Sequence, residues 1–429
     1  MNRKTSRTGL RAPLSIALTA GLALGFAASA HAADPTVLTV FSDWTAGDQQ
    51  GFESILNQFT QDTGIKYELS GTTDFLPVLQ TRIAAGNSPM ISIVPRPGVI
   101  SDFVGQNLLI PLKDLGVDIA GNYSPSITSL GSVGDVAYGL VVKANSKSVI
   151  YYDPKSTPDG KALAPADWAA FKAVLDQYVA AGKAPLAISA KDGWTLTDWF
   201  ENVYLRQAGP DKYRDLFAGK LSFTDPSVKG AVDAMMDVIH NDKYVSGGTT
   251  VASSISYDDS LAKVFGAKPD GYLVMEGGFT TGVITTSTNP KLQPGTDIQF
   301  FHFPNIEAAN SDAVELGGDF AVAFANNDLT KKFMQWLARP ETAKLWAAVG
   351  VIDPNKNADA SALPNVLMQQ ESQQLTTAKL AAFDGSDQMP GGIGDDWGST
   401  LQGIYQDPSK TEQLLKTFAD NAKSNGFGP

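Results

Sequence analysis

Residues 37–94 read VLTVFSDWTAGDQQGFESILNQFTQDTGIKYELSGTTDFLPVLQTRIAAGNSPMISIV. The opening five residues, 37–41, form a short apolar run, the mark of a buried strand. Phe52, Ile55, Leu56 and Phe59 follow at i, i+3, i+4 and i+7, one face of a helix. Asp48 can cap that helix at its start and Gly64 at its end. Residues 65–69 (IKYEL) make a second strand. Residues 75–85 read as a helix that stops at Gly86. Residues 90–94 (MISIV) make a third strand, ended by Pro95 and Pro97. Strand, helix, strand, helix, strand is the pattern of a parallel sheet with helical crossovers. The fold class is therefore α/β.

Beyond this block the alternation continues. Strands are expected at 136–142, after a Gly/Ser-rich stretch (124–134), and at 149–152. A helix-rich zone then runs to about residue 270, with Trp168, Phe171, Leu175 and Tyr178 on one face. Strands return at 273–275, 298–303 and 321–324, the last after Gly317-Gly318. The final third is helical over 328–348, 365–380 and 408–423. There is no internal repeat and no low-complexity tract.

Toward the N-terminus, residues 1–11 are basic, an apolar run spans Leu14 to Phe26, and Ala30-His-Ala32 follows. A positive region, a short apolar region and a small-x-small site make a secretory signal. The run is short for a membrane span, which takes about 20 apolar residues. Cleavage is expected after Ala32, with Ala30 as the rival, and the product is a periplasmic protein. Full secretion is the alternative.

Composition narrows the function. The chain has 429 residues, 33 bases and 45 acids, for a formal charge of −12. Residues 1–32 carry Arg3, Lys4, Arg7 and Arg11 and no acid, so the remaining 397 residues carry a charge of −16. That charge disfavours nucleic acid and anionic membrane surfaces. No cysteine is present, which excludes disulfides, thiolate metal sites and a cysteine nucleophile. The three histidines are His31, His240 and His302, and the first leaves with the signal, so a multi-histidine zinc site is excluded. His240 ends an amphipathic helix as a surface residue facing the dipole. His302 alternates with Phe301 and Phe303 and is read as a buried histidine.

Catalytic motifs are absent or incomplete. Gly-Lys begins at 160, 182 and 219 but never precedes Ser or Thr, so there is no P-loop. Gly392-x-Gly394 lacks its third glycine, because Trp stands at 397. Ser260-x-x-Lys263 has no accompanying Lys-Thr-Gly. Asp353-x-Asn355-x-Asn357 starts like a calcium loop, but Ala358 and Pro364 stand where Gly and Glu are needed. Acid pairs such as Asp258-Asp259 and Asp395-Asp396 reflect abundance. No enzyme activity, metal or cofactor is expected.

A binding pattern remains. Trp44 follows Asp43, Trp194 follows Gly193, and Trp397 follows Asp395-Asp396. An aromatic face packs on the C–H face of a sugar ring, and an adjacent charged group takes its hydroxyls. These three tryptophans are assigned to a cleft. Trp168, Trp336 and Trp346, on helical faces, are assigned to the core, and Trp199 stands between the two groups.

Several blocks, in order, give the chain a family resemblance. They are Leu38-Thr-Val-Phe-Ser-Asp-Trp44, Arg82-Ile-Ala-Ala-Gly-Asn87 through Val94-Pro-Arg-Pro-Gly98, and Tyr138-Gly139 through Tyr152. Trp194-Thr-Leu-Thr-Asp-Trp-Phe-Glu-Asn202 with Arg206-x-Ala-Gly-Pro210 is the most specific. Met275-Glu-Gly-Gly-Phe279, Gly317-Gly-Asp-Phe320 and Phe333 through Lys356 complete the set. The chain resembles the extracellular solute-binding proteins of ABC sugar importers, the family of maltose-binding protein, and within it the alpha-glucoside branch. Met90 stands where the family usually has Asp, and Tyr151 replaces a more usual Trp.

The resemblance implies two α/β lobes joined by a hinge, with several chain crossings and the sugar between the lobes. Lobe 1 is expected to hold 33–145 and about 276–325, and lobe 2 to hold 146–275 and about 326–429. Trp194 and Trp397 would stack sugar rings, with Trp44 and Trp199 as further walls. Asp43, Glu276 and Asp319 would accept hydroxyl hydrogen bonds. Arg96 and Lys143 would donate. Phe279, beside Gly277, would close the edge. The partners implied are a sugar, an alpha-glucoside di- or oligosaccharide, and the membrane permease of an ABC importer, bound by a monomer. The alternatives are a polyol, another solute such as ferric ion (from the Tyr151-Tyr152 pair), a glycoside-acting enzyme, or a structural surface protein.

Overall fold

The computed structural model describes residues 36–429 apart from 45, 73, 74 and 391, with backbone alone at 46–48. The expected signal segment and the Asp48 side chain lie outside the described residues. β1 (Val37–Ser42), β2 (Lys66–Gly71) and β3 (Ile91–Val94) form as the opening block predicts. β1 pairs in parallel with both β2 and β3. The helices Ala46–Thr63 and Phe75–Ala84 make the crossovers. The first buries the face read from sequence: Phe52, Ile55, Leu56 and Phe59 are at most 1 % exposed.

A two-residue hairpin, β4 (Ser132–Val133) and β5 (Val136–Ala137), precedes β6 (Leu140–Ser146). β7 (Val149–Tyr152), β8 (Leu273–Glu276) and β9 (Gln299–His302) form a separate antiparallel sheet with β7 in the centre. β10 (Ala313–Ala323) returns the chain to the first sheet, and β11 (Leu380–Phe383) pairs beside it. β10 is much longer than the 321–324 strand expected. It runs antiparallel to β3 and β6 and parallel to β11, so the large sheet is mixed. Gly318 makes this possible: a Cβ there would run into the Lys143 carbonyl of β6. One residue on, the register slips between Asp319 and Phe320, a bulge of the kind that re-aims a side chain.

The described residues hold two large hydrophobic cores. One is built on the mixed sheet, from Leu38 to Ala144 and again from Val314 to Phe383. The other gathers the helix Gly193–Ala208 with Ile150, Phe301, Phe303 and the C-terminal helices. A smaller cluster on the other face of β7 includes Tyr151, Val274 and Phe300. Phe333, Trp336 and Trp346, grouped by sequence with the second lobe, pack in the first core, where Trp346 stacks on Phe52 at 5.6 Å. Phe301 and Phe303, grouped with the first lobe, pack in the second. His302 points the opposite way from those two phenylalanines and is exposed, not buried as read. The 328–348 helix is two helices broken before Pro340, whose ring suits a first helical turn. Among the described residues no helix is long and apolar enough to cross a membrane.

Candidate functional site

The end of β1 and the paired middles of β6 and β10 bring three of the expected site residues together. Trp44 follows β1, Lys143 lies in β6, and Asp319 sits at the bulge of β10. The Trp44 indole Nε1–H donates to Asp319 Oδ2 at 3.2 Å. The Lys143 ammonium lies 3.7 Å from the same oxygen and 5.6 Å from the Trp44 ring centre. Trp44 is only 5 % exposed, wedged edge-on against Phe52 and Trp346. It positions Asp319 more than it presents a face.

Asp43 and Arg96 line a cavity of about 1200 Å³ whose walls come from both large cores. Phe75 and Pro97 lie on one side, and Tyr213, Phe217 and Met389 on the other. Arg96 is exposed and its Nε lies 3.8 Å from Asp387 Oδ1 across this cavity. Its place just past β3 follows from the proline on either side of it, which ends the strand.

A third group forms at the start of the helix Gly193–Ala208 and the end of β8. Trp194 is 38 % exposed, the one exposed tryptophan of the seven. Its ring lies 5.1 Å from Tyr257 and 6.3 Å from Phe279, and those two rings are 6.2 Å apart. Tyr257 was not anticipated, because it opens a short amphipathic helix whose apolar face is core. The Asp192 carboxylate accepts the Tyr257 N–H at 2.7 Å and fixes that helix beside Trp194. Glu276 ends β8 and is 1 % exposed. Gly277 and Gly278 follow: a Cβ at Gly277 would strike the Phe279 ring, and one at Gly278 the Glu371 carboxylate.

Two expected cleft walls are elsewhere. Trp397 is fully buried in the second core against Phe200, Phe223 and Phe418, with centroids 4.8–5.1 Å away. Its segment is the helix Ile393–Gln406, not a loop. Ile393, Trp397, Leu401 and Ile404 share one helical face, a pattern hidden in sequence by five intervening glycines and acids. Trp199 is 3 % exposed and edge-on to Phe303, also core. The tyrosine pair is core too: Tyr151 Oη donates to the Gly278 carbonyl at 3.1 Å, and Tyr152 Oη accepts the Leu163 N–H. Neither phenol is presented for a ferric ion.

Between the β1 side and the β8 side lies a buried polar network that sequence reasoning did not assign. Its centre is Lys147, in the crossing from β6 to β7. The ammonium bonds Asp198 Oδ1 at 3.1 Å and Asp384. Asn202 Nδ2 donates to the Lys147 carbonyl at 2.8 Å and to Glu315 Oε2 at 2.6 Å. Arg206 bonds Asn202 Oδ1 at 2.8 Å and the Ala313 carbonyl at 2.6 Å. Glu201 accepts the Tyr213 hydroxyl at 2.6 Å and the Ser386 N–H at 3.0 Å. Thus one face of a single helix (198, 201, 202, 206) ties the three places where the described chain passes between the two large cores: β6 to β7, β9 to β10, and just past β11. Burial pushes Asp198 up to about 7 despite Lys147, and pushes Glu201 and Glu315 well above their usual range. Asp384 is also buried, yet Lys147 holds it below the ordinary carboxylate value. Asp198, Glu315 and Asp384 stand close enough for a metal ion, but the Lys147 ammonium already lies among them.

The chain is 27 % identical over 368 residues to the osmoprotective compounds-binding protein GgtB of Synechocystis sp., covering 84 % of this chain and 86 % of that one. It is 27 % identical over 372 residues to the alpha-glucosides-binding periplasmic protein AglE of Rhizobium meliloti, covering 83 % and 80 %. Among solved structures, the bacterial solute receptor AcbH, described as exclusively preferring β-D-galactopyranose, matches with a TM-score of 0.78. That match has 20 % identity over 90 % of this chain and 97 % of AcbH. A cyclo/maltodextrin-binding protein with bound maltotetraose matches with a TM-score of 0.69, 16 % identity, and coverage of 91 % and 97 %. These structures share the two-lobed α/β fold, which the two cores and three crossings reproduce. Residues 54–372 match the model of the bacterial extracellular solute-binding protein family, and the chain belongs to that family.

Proposed function

We propose that this protein captures a sugar, an alpha-glucoside di- or oligosaccharide, between its lobes in the periplasm and delivers it to the permease of an ABC importer. The observation that carries the reading is the exposed ring of Trp194, set with Tyr257 and Phe279 beside Glu276 and Asp192. An exposed aromatic face next to carboxyl groups suits a ring with an apolar face and polar edges. The likeness to AglE supports the alpha-glucoside, and that to GgtB supports an osmoprotective compound as the second candidate. In this reading lobe 1 comprises 36–146 and 313–383, and lobe 2 comprises 149–303 and 385–429. Asp43, Arg96, Lys143 and Asp319 serve from lobe 1, and Trp194, Tyr257, Glu276, Gly277 and Phe279 from lobe 2. Sugar bridging both lobes shifts the population toward the closed form, which the permease recognises.

A thermal-shift panel of maltose, trehalose, sucrose, maltotriose, glucose and sorbitol, with amino-acid and iron controls, tests this. A ligand at 100 times its dissociation constant adds about 2.7 kcal/mol of stability, a rise of a few degrees. A rise with one or two alpha-glucosides supports the reading. A rise with sorbitol alone selects a polyol, and no rise with any sugar overturns the sugar assignment.

A further inference from the structure

We propose that Asp387, which no local sequence pattern marks, is the second lobe's counterpart of Arg96 in the ligand site, and that the two together grip a hydroxyl, or two on adjacent carbons, of an uncharged solute. The inference rests on the sugar-capture reading above and names the chemistry that this part of the cleft selects.

The two side chains come from different lobes. Arg96 stands between β3 and the helix Pro97–Gly105, whose Val99, Ile100 and Phe103 belong to the first core. Asp387 lies in the short helix Gly385–Gln388, which leads into Met389 and Ile393 of the second core. The backbones that carry them are packed together: a Cβ at Gly98 would stand 3.1 Å from the Gln388 carbonyl oxygen. Asp387 is also held from its own side. Its N–H donates to Asp384 Oδ1 at 2.9 Å, and Gln388 Nε2 donates to the Phe383 carbonyl at 2.8 Å. Packed backbone therefore sets the spacing of the two charged groups, a preorganised arrangement.

The groups themselves have bonding capacity left. The 3.8 Å between Arg96 Nε and Asp387 Oδ1 exceeds hydrogen-bond length. Among the described residues neither side chain makes a hydrogen bond. They are 54 % and 40 % exposed, and both line the cavity of about 1200 Å³. An exposed ion pair of this kind adds little to stability. A guanidinium offers five N–H donors and an ionised carboxylate about four acceptor sites.

A hydroxyl placed between the two satisfies both: its oxygen accepts from Arg96 while its O–H donates to Asp387, each bond strengthened by a charge. Hydroxyls on adjacent carbons can do so side by side. An anion would meet Asp43 and Asp102 as well as Asp387, for all three line the cavity, and a cation would meet Arg96 and Arg214. A zwitterion would have to prise the pair apart so that each ion faced its opposite. Phe75, Tyr213 and Phe217 supply apolar wall for the C–H face of a ring. Trp194 does not line this cavity, so the pair is a hold on the ligand separate from that face.

The test is titration calorimetry of residues 33–429 with maltose, trehalose, sucrose, maltotriose and sorbitol, and with glycine as the zwitterion. It compares wild type, Arg96→Ala, Asp387→Ala, Asp387→Asn and the double alanine variant, with a urea midpoint for each. The proposal expects a sugar or sorbitol that binds wild type to bind each alanine variant at least tenfold more weakly, with the urea midpoint unchanged. The double variant should lose less than the product of the two single losses, because either change alone already frees the shared hydroxyl. Asp387→Asn keeps the side-chain shape, covers the case of an alanine variant that does not fold, and is expected to lose at least fivefold. Sugar affinity within about twofold of wild type, or tighter, in the Asp387 variants overturns the proposal and makes the pair a brace between lobes, while sugar capture stands. Glycine binding that the variants lose overturns the hydroxyl assignment in favour of a zwitterion. No binding of any probe to wild type overturns the sugar-capture reading and this proposal with it.

Discussion

Two tryptophans with similar sequence surroundings have opposite fates, and a substitution at each separates them. Trp194 follows Asp192-Gly193 and stays exposed at the start of its helix. Trp397 follows Asp395-Asp396 and is wholly buried. Trp194→Ala should weaken sugar binding by about tenfold or more, roughly 1–2 kcal/mol, and leave the melting temperature within a degree or two. Trp397→Ala should instead destabilise the fold by about 3–5 kcal/mol, seen as a lower urea midpoint. Equal loss of affinity in both variants without loss of stability would restore Trp397 to the site. At this scale the sequence was legible where a residue's role follows from its neighbours in the chain. Asp43, Trp44 and Arg96 lie just past strands because their flanking runs say so. It was illegible where the role depends on a partner far away: Trp44 meets Asp319 across 275 residues, and that contact makes its indole a support more than a wall.

Elements show the same limit in larger form. The first two crossovers were readable because each helix carries its own apolar stripe. The long strand β10 was not, because Ala313-Val-Glu-Leu-Gly-Gly-Asp319 places Glu and Asp inside a buried run, and no local pattern announces an acid whose partner lies on another element. The motif most specific for the family resemblance proves to be largely architectural. Asp198, Glu201, Asn202 and Arg206 turn inward to tie the chain crossings, and within 194–202 only Trp194 is exposed. Lys147→Met should therefore destabilise the protein by about 3–5 kcal/mol, since it leaves Asp198 and Asp384 buried without their cation. Adding Asp384→Asn should recover part of that loss in the same urea titration. Additive losses would show that the pair is not coupled.

For the whole molecule, buried acids set the pH response of stability. Burial raises Glu371 to about 8, against a hydrogen bond from Ser146 N–H that lowers it, and raises Asp353 to about 7. An unfolded chain releases these protons near pH 4, at the ordinary carboxylate values. Between there and about pH 8 the folded state holds more protons than the unfolded one, so stability falls as pH rises through that window. Asp384 acts in reverse, its contribution being lost only in stronger acid, as pH falls through its depressed value. The melting temperature should thus be higher at pH 5.5 than at pH 8.5, and Glu371→Gln, which can still accept the Ser146 N–H, should flatten the difference. A stability that climbs steadily from pH 5.5 to 8.5 would contradict this account.

The claim on which the rest depends is capture of a sugar at the Trp194 face. Titration calorimetry of residues 33–429 with maltose, trehalose and sucrose, run in parallel on wild type and Trp194→Ala, addresses it. The account predicts a saturable one-to-one heat with at least one of the three sugars, weakened about tenfold or more in the variant. Absence of heat with all three, or identical affinity in wild type and variant, would contradict it.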